Sequence, residues 1–321
     1  MYKIIDIKEK DKYLINFSNI KSNFFHQNLN LEEYYNNPLN GLPLYFPINL
    51  NNFKKNNYSF KIDRKEFSKK IFITNNLDYV GNRLFFKYGD NFSQKVILKK
   101  KYQKLVGLIS KHNLFVKKKI TKLNYKYNNK VCAFQTRNIP HLGHEAIIDY
   151  LLRQFSHVVV NPVVGPKKIG DIKLKSLEKI YLKLINIKFR GRVSFLPIYF
   201  NMFYAGPREA IHHAIIRKNF GFKNFIIGRD HAGAENLYKP DQALKYVKKY
   251  QKKLQIKVLG IKGAYFCNKC QKAVIKGECS HNNLINISGT SFRKHIKKNK
   301  LFKYADLNLQ KFIQKTKLSI Y

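Results

Sequence analysis

The chain has 321 residues, of which 44% are hydrophobic, and a formal net charge of +43 at pH 7. This length exceeds one ordinary hydrophobic core and predicts two or three domains. No stretch of about 20 consecutive apolar residues is present, so no transmembrane helix is predicted. The N-terminal residues lack the apolar core of a secretion signal. We therefore expect a cytoplasmic protein with no membrane partner.

The positive charge would ordinarily indicate a nucleic-acid partner, but its distribution argues against one. Only ten of the 62 basic residues are Arg, and the Lys residues are spread along the whole chain among many Asn, Ile, Phe and Tyr residues. This composition is typical of A/T-rich codon usage, as in an organelle or endosymbiont genome. Nucleic-acid binding is therefore not the expected function. Half of the arginines lie in the motifs described below, where two-pronged anion recognition needs Arg rather than Lys: Arg137, Arg208, Arg217, Arg229 and Arg293.

The N-terminal third is rich in Lys and Asn and contains short β-like runs. They lie at 13–17, 70–74, 83–88 and 95–98, with turn signals between them, and a proline-broken segment at 41–50 suits an edge strand. This pattern predicts a small, mostly β domain without a catalytic constellation. The basic, turn-rich segment 117–130 is predicted to be a linker.

From residue 130 the pattern changes to alternating strands and helices. The predicted strands are 131–135, 157–164, 193–199, 224–228 and 256–261, and helical patterns lie between them, including 173–188, 207–220 and 240–254. Such alternation predicts an α/β fold with a parallel, doubly wound sheet. Ligands of these sheets bind at the carboxyl ends of the strands.

The most informative stretch, CAFQTRNIPHLGHE, follows the first of these strands. His141 and His144 fall three apart at the start of an amphipathic helix and so share one face. A helix N-terminus presents unpaired N–H groups and the positive end of the dipole, which suits a phosphate. Gln135 and Arg137 converge on the same place. The alternative is a strand–loop–helix whose histidines are satisfied surface or core residues, and Cys132 is expected in the core.

Two further motifs follow later strands of the predicted sheet. The first is MFYAGPREAIHHAIIRKNFG, which predicts a helix that begins at Pro207 and stops at Gly221. Arg208 lies at the N-terminus of this helix, where the helix dipole disfavours a cation. IIGRDHAGAENLY places Arg229, Asp230 and His231 in a glycine-containing loop. That loop can also be understood as a polar turn with an internal Arg–Asp pair.

Together, QTRNIPHLGHE, MFYAGPREAIHHAIIRKNFG and IGRDHAG resemble the ATP sulfurylase (sulfate adenylyltransferase) family, as does ISGTSFR at 287–293. The resemblance covers about 130–296 and implies a Rossmann-like nucleotidyltransferase domain. It implies a PUA-like N-terminal domain over 1–125, the catalytic domain over 126–262, and a zinc-bearing, partly helical piece over 263–321. We expect no kinase domain after Tyr321 and regard a homo-oligomer as possible.

The implied reaction joins sulfate to ATP and gives adenosine 5′-phosphosulfate and pyrophosphate, in a direction that the sequence leaves open. Mg²⁺ would arrive with ATP. The resemblance implies catalytic roles for Arg137, Asn138, His141, His144 and Arg229. It implies substrate binding by Gln135, Thr136, Arg137, Asn138, His141, His144, Gly228, Arg229, Asp230, His231 and Ala232.

Two departures from the family pattern and two rival functions stay open at this point. Glu235 stands where glycine is usual, and Leu142 replaces a frequent basic residue, so the turnover rate is in question more than the reaction class. The first rival is an adenylyltransferase for another acceptor. The second is a basic RNA-binding protein with a PUA-like domain, whose affinity would fall steeply with salt.

Three of the four cysteines form a cluster with one histidine. Cys267, Cys270, Cys279 and His281 give the spacing C-x₂-C-x₈-C-x-H, which is typical of a tetrahedral Zn²⁺ site. Four protein ligands would make such a zinc structural rather than catalytic. His281 is the weakest assignment because only one residue separates it from Cys279, and three reduced cysteines near one another by chance are the alternative.

Overall fold

The computed structural model describes residues 3–6, 39, 58–62, 65–68, 109–164, 171–198, 206–229, 231–232, 238–316 and 318–320. Near the N-terminus, strands β1 (Lys3–Asp6), β2 (Tyr58–Ile62) and β3 (Lys65–Ser68) form a small sheet. In it β1 and β2 are parallel, whereas β2 and β3 are antiparallel. The β-like runs predicted at 13–17, 41–50, 70–74, 83–88 and 95–98 lie outside the described residues, as does most of the predicted PUA-like domain.

A five-stranded parallel sheet forms the centre of the larger domain. Its strands are β4 (Val131–Phe134), β5 (His157–Val160), β6 (Val193–Phe195), β7 (Asn224–Ile227) and β8 (Lys257–Gly260), in the spatial order β6-β5-β4-β7-β8. The predicted parallel α/β core is therefore confirmed. The strand order reverses at β4, and in such sheets the ligand crevice lies at that reversal.

Helices pack on both faces of this sheet, and the three central strands β4, β5 and β7 are therefore buried at every position. They are α1 (Ile109–Lys126), α2 (Leu142–Leu152), α3 (Leu174–Leu184), α4 (Pro207–Phe220), α5 (Gln242–Leu254), α6 (Gly289–Lys297) and α7 (Leu307–Lys315). Apolar side chains of α1, α4 and α5 share one core, and those of α2, α3, α6 and α7 share the other. Within the described parts of the chain, no helix is both long and apolar enough to cross a membrane.

The prediction of a linker over 117–130 is wrong for residues 117–126, because α1 continues to Lys126. The buried side chains on this helix are Asn113, Val116 and Ile120, which follow one another at helical spacing. Val116 and Ile120 belong to the same core as α4. The many lysines between these positions conceal the amphipathic pattern in the sequence.

The C-terminal segment packs back onto α2. Strands β9 (Ala264–Cys267), β10 (Lys272–Ile275) and β11 (Leu284–Asn286) form an antiparallel sheet in the order β10-β9-β11. Phe266 and Ile275 of this sheet belong to the same apolar core as Ile148 and Leu151 of α2. The sheet and α2 therefore share one core.

An ion-pair cluster joins three elements beside α2. Lys188 lies in the π-helical turn Ile185–Phe189, directly after α3. Its ammonium lies 2.5 Å from the Glu145 carboxylate of α2 and 3.1 Å from the carboxylate of Asp306, the N-cap of α7. Glu145 is buried, so a single lysine compensates a carboxylate that the interior would otherwise disfavour.

Candidate functional site

The predicted site residues lie mostly in two loops that follow neighbouring strands. β4 and β7 are adjacent and parallel, so their carboxyl ends meet at one edge of the sheet. The loop after β4 carries Gln135, Thr136, Arg137 and Asn138 and leads to His141 and His144 at the start of α2. The loop after β7 carries Gly228, Arg229, His231 and Ala232. Asp230 and Glu235 lie outside the described residues.

The two histidines of the first loop are in contact, as their spacing predicts. Their ring centroids are 4.1 Å apart. His141 is the N-cap of α2, and its Nδ1 accepts a hydrogen bond from the Gly143 N–H. His144 accepts a hydrogen bond at Nδ1 from the His141 N–H, and its Nε2 lies 3.2 Å from the Thr136 hydroxyl. Each ring therefore accepts from a backbone N–H at the start of the helix, and the two residues form a reciprocal capping box.

The prediction that this helix end presents unpaired N–H groups is wrong. The Leu142 N–H donates to the Tyr304 carbonyl at 2.9 Å, and the Gly143 N–H donates to the His141 ring. The next two N–H groups donate to the His141 carbonyl. The local capping box and the returning C-terminal segment together satisfy the groups that a helix start leaves open. An anion bound at this end would be held by side chains.

Both histidines are held in the neutral form. Burial lowers the pKa of His141 to about 4, and burial together with the neighbouring His141 lowers the pKa of His144 well below its usual value. Because each Nδ1 accepts a backbone hydrogen bond, each neutral ring carries its proton on Nε2. The His144 Nε2–H then donates to Thr136, and the His141 Nε2–H is a donor that a phosphate oxygen could accept.

Arg137 and Asn138 join a second cluster with residues distant in sequence. Arg137 pairs with the buried carboxylate of Asp171 at 3.2 Å. The Arg293 guanidinium donates to the Asn138 amide oxygen at 3.0 Å, and also to the Thr290 hydroxyl. Burial lowers the pKa of Arg293, with the neighbouring Arg137 adding to the effect while Asp171 opposes it. Arg137 and Arg293 thus lie near the single carboxylate of Asp171. The net positive charge of this cluster favours the binding of an anion.

Arg229 lies in a different environment, on the Tyr265 side chain. Its Nη1 donates to the Tyr265 hydroxyl at 2.7 Å, and the guanidinium lies 5.8 Å from the ring centroid. Tyr265 belongs to β9, whose first residue, Ala264, faces α2: a Cβ added to Gly143 would lie 3.5 Å from the Ala264 Cβ. Strand β9 therefore touches both loops of the site.

A buried pair of histidines anchors the loop after β7 to helix α4. The His231 Nε2 lies 2.9 Å from the His213 Nδ1, and the His213 Nε2 lies 3.2 Å from the Glu209 carboxylate. The next residue, Ala232, has a left-handed backbone with φ of 55°, and its carbonyl accepts from the Gly206 N–H. This chain of contacts fixes the path of the loop.

Gly206 shows why the start of α4 tolerates no side chain. Its φ is +49°, and an added Cβ would lie 2.5 Å from the Tyr238 ring. The glycine thus allows close packing of α4 against the segment that follows the second loop. Arg208, whose position at a helix start was difficult to explain from the sequence, is buried with 1% of its surface exposed.

Mild acid should destabilise this protein. Burial lowers the pKa of six histidines below 6.5: His141, His144, His157, His212, His213 and His231. The unfolded chain binds protons that the folded chain excludes, so stability falls as pH drops from about 6.5, by roughly 1.4 kcal/mol per pH unit for each histidine. Thermal melting between pH 7.5 and 5.5 tests this, and an unchanged Tm would contradict it.

The four predicted metal ligands come together at the end of β9. The ligand atoms of Cys267, Cys270, Cys279 and His281 all lie within 4.8 Å of one another. The His281 Nδ1 is 3.4 Å from the Cys267 sulfur and 3.3 Å from the Cys270 sulfur. The Cys270 backbone N–H is the main cause of a Cys267 pKa lowered to about 6, which favours the thiolate that binds metals. The short spacing from Cys279 therefore does not keep His281 away from the cluster.

The comparison with known families covers the part of the chain that holds these residues. The family model described as ATP-sulfurylase matches residues 113–303, which is more than half of the chain. This chain belongs to the ATP-sulfurylase family. The match includes both loops of the site, the Cys/His cluster and the segment of Arg293, so these features all lie inside the ATP-sulfurylase region.

Curated relatives carry the corresponding name. The sulfate adenylyltransferase of Ignicoccus hospitalis is 38% identical over 244 residues, which is 75% of this chain and 63% of that protein. The enzyme of the same name from Aeropyrum pernix is 35% identical over 72% of this chain and 61% of its own length. The chain thus spans about three fifths of the length of these relatives. The hexameric APS kinase from Thiobacillus denitrificans is similar with a TM-score of 0.45 and 15% identity, over 62% of this chain and 39% of that one.

The site of this ATP-sulfurylase family member includes partners that the sequence did not reveal. Asp171, Tyr265, Glu209 and His213 were not predicted as site residues, and Arg293 was noticed only as part of a motif. Glu209 and His213 are four apart on a helix, a spacing at which side chains meet, so that pair could have been found. Nothing in the sequence links Tyr265 to Arg229.

Proposed function

We propose that this protein is a sulfate adenylyltransferase, which joins ATP and sulfate to give adenosine 5′-phosphosulfate and pyrophosphate. The observation that carries the proposal is the pairing of β4 with β7, which brings the Arg137–His144 loop and the Arg229 loop to one edge of the sheet. Membership of the ATP-sulfurylase family supports it. An anion-rich reaction at this edge suits the arginines and neutral donors found there.

The proposed chemistry needs positioning rather than a general base. A sulfate oxygen attacks the α-phosphorus of ATP, the new S–O–P bridge forms, and the bond to the β-phosphate oxygen breaks. Sulfate is already a dianion, so no proton has to be removed. In this proposal Arg137, Arg229 and Gln135 hold the sulfate with the Ala232 N–H, and Asn138 contacts the α-phosphate region. Asp230 and His231 shape the nucleotide side, and Thr136 and Gly228 complete the proposed set of substrate-binding residues.

His141 is proposed to stabilise the departing pyrophosphate. Its neutral ring can donate from Nε2 to an oxygen on which charge accumulates, and such preorganised donors are a main source of rate enhancement. His144 acts beside it, since the His144 ring accepts the His141 N–H and fixes the orientation of the motif. Mg²⁺ would enter with ATP and neutralise the phosphates, without a protein cage of its own.

A pyrophosphate-release assay tests the proposal directly. Purified protein is supplied with MgATP, with and without sulfate, and release should depend on sulfate. Release that is equal without sulfate, or that needs a different acceptor, would favour an adenylyltransferase with another substrate. The absence of any release with MgATP and sulfate would contradict the proposal.

Arg229→Lys should lose most of the sulfate-dependent turnover. Lysine keeps the charge but removes the planar fork, and with it the second prong of a two-pronged contact to an oxyanion. We expect a loss of about tenfold or more in kcat/KM for sulfate, measured as pyrophosphate release. Arg153→Lys, at an exposed position that pairs with Glu278, is the matched control and should keep full activity. Near wild-type efficiency of Arg229→Lys would show that Arg229 has a structural role only.

We further propose that the Cys/His cluster binds one structural Zn²⁺. In a tetrahedral zinc site with two such ligands, sulfur and nitrogen lie roughly 3.5 Å apart, as computed from the usual bond lengths. The sulfur–nitrogen distances of 3.3 and 3.4 Å support this reading. Four protein ligands leave no open position for catalysis, so the metal would stabilise the sheet of β9, β10 and β11.

Removal of this metal should lower the Tm and loosen the C-terminal sheet first. The binding energy of a structural zinc contributes to folding, so chelation removes it. We expect about one zinc per chain, released with any Cys→Ser change at 267, 270 or 279. Metal analysis and limited proteolysis with and without chelator measure both effects. Protein purified under reducing conditions with no zinc would exclude the site, and a His281→Ala variant that keeps its zinc would exclude only the fourth ligand.

A further inference from the structure

The Tyr265 hydroxyl stands beside Arg229 without a role in the function proposed above. We propose that it is a second donor to the sulfate, so that Arg229 and Tyr265 together form an anion clamp. This inference rests on the proposed function. It adds a substrate-contacting residue from the C-terminal sheet, outside the two loops that carry the other anion-binding groups.

The proton of this hydroxyl is available for a ligand. The phenolic oxygen accepts from the Arg229 Nη1 at 2.7 Å, so it uses a lone pair in that bond and keeps its own O–H proton. Among the residues that the structure describes, Arg229 is its only hydrogen-bond partner. The guanidinium is likewise engaged at a single nitrogen, which leaves its other N–H groups for the same ligand. Both groups can therefore donate to one anion.

The backbone around Tyr265 holds the ring close to Arg229. Gly263 has a φ of +103°, and a Cβ added there would lie 3.1 Å from the ring and 3.3 Å from the hydroxyl oxygen. A side chain at this position would therefore push the ring from its place. On the other side, Ala264 contacts the start of α2 at Gly143. The hydroxyl is thus held on strand β9, which also packs against the start of α2.

The chemistry of the pair matches a sulfate dianion. Sulfate offers only acceptors, and the clamp offers only donors toward it. The arginine supplies the charge, and the phenol supplies a directed neutral donor. Accepting a hydrogen bond from a cation polarises the phenol and strengthens its own donation. Because Arg229 holds sulfate in the proposed function and Tyr265 contacts Arg229, the tyrosine would contribute to sulfate binding and not to ATP binding.

Tyr265→Phe tests the clamp, because it removes one oxygen and keeps the ring. We expect the KM for sulfate to rise roughly tenfold or more, as for loss of a hydrogen bond to a charged group. The KM for ATP and the Tm should stay close to those of the wild type. Tyr304→Phe is the matched control. The Tyr304 ring packs on Phe266, which lies on β9 next to Tyr265, and removal of the Tyr304 hydroxyl should change neither KM.

A binding measurement separates the clamp from effects on turnover. With a non-hydrolysable ATP analogue present, sulfate should raise the Tm of the wild type and of Tyr304→Phe, and raise that of Tyr265→Phe much less at the same concentration. An unchanged sulfate KM in folded Tyr265→Phe would overturn the clamp, and so would equal rises in both KM values. If the wild type shows no sulfate-dependent release, the proposed function itself fails, which is a different result from either of these.

Discussion

Replacing His141 by alanine is expected to slow sulfate-dependent pyrophosphate release by about 100-fold or more, as for the loss of one preorganised donor at a developing charge. The ring is buried and neutral, with its Nδ1 occupied by the Gly143 N–H, so its Nε2 proton is positioned before substrate arrives. Initial rates of pyrophosphate release at saturating ATP and sulfate measure this loss.

His141 also caps a helix, so the alanine variant alone does not separate chemistry from folding. Asparagine is a strong N-cap residue and can accept from the same N–H groups. His141→Asn should therefore keep the wild-type Tm and still lose the rate, whereas His141→Ala should also lose about 1 kcal/mol of stability. If His141→Asn keeps the wild-type rate of pyrophosphate release, His141 acts through the helix cap only. His144→Ala combined with His141→Ala should be non-additive, because the two rings act as one unit.

Arg217→Met should destabilise the fold by about 3–5 kcal/mol, as for the loss of one partner from a buried charged network. Arg217 is fully buried, and its pKa is lowered to about 9 by burial, against a raising effect of Glu209. Its guanidinium donates to the Asn161 side chain at 3.0 Å and to the Asn161 carbonyl at 2.8 Å. Methionine fills a similar volume but leaves both oxygens without a donor and removes the positive neighbour of Glu209.

Urea denaturation of Arg217→Met, read as the shift of the midpoint at constant slope, measures the loss. Arg153→Met is the control, because that side chain is 60% exposed and its pair with Glu278 should contribute at most about 1 kcal/mol. The loss of stability in Arg217→Lys should lie between those of Arg217→Met and Arg153→Met, since lysine keeps a charge but cannot make the forked contact to Asn161. Equal stabilities of the two methionine variants would show that the buried network is energetically neutral.

The central strands could be predicted because strands buried on both faces are continuous apolar runs. Val131–Phe134 and Asn224–Ile227 are buried at every position, and both were found within one residue. Their pairing could not be predicted, because Ala133 and Phe225 are neighbours in space but about ninety positions apart in sequence. α1 was missed for a different reason: its charged residues outnumber the few buried positions that define its face.

For the site, local motifs identified residues but not their partners. The contact between His141 and His144 follows from helical spacing, and the structure confirms it. The capping of Leu142 by Tyr304, the pairing of Arg137 with Asp171 and the contact of Arg229 with Tyr265 depend on how the chain returns to the sheet. That return is a property of the tertiary fold and leaves no periodic signal in the sequence.

The bond from the Leu142 N–H to the Tyr304 carbonyl also sets an order of events during synthesis. At about 5–20 residues per second, residue 304 is added roughly 10–30 seconds after residue 142. Throughout that interval the nascent chain already contains the histidine motif and its local capping box, but the Leu142 N–H still lacks the Tyr304 carbonyl. Until β9 and β10 are made, the apolar face of α2 also lacks Phe266 and Ile275, which complete the core around Ile148 and Leu151. A chain stalled before residue 304 would carry the motif without a finished site.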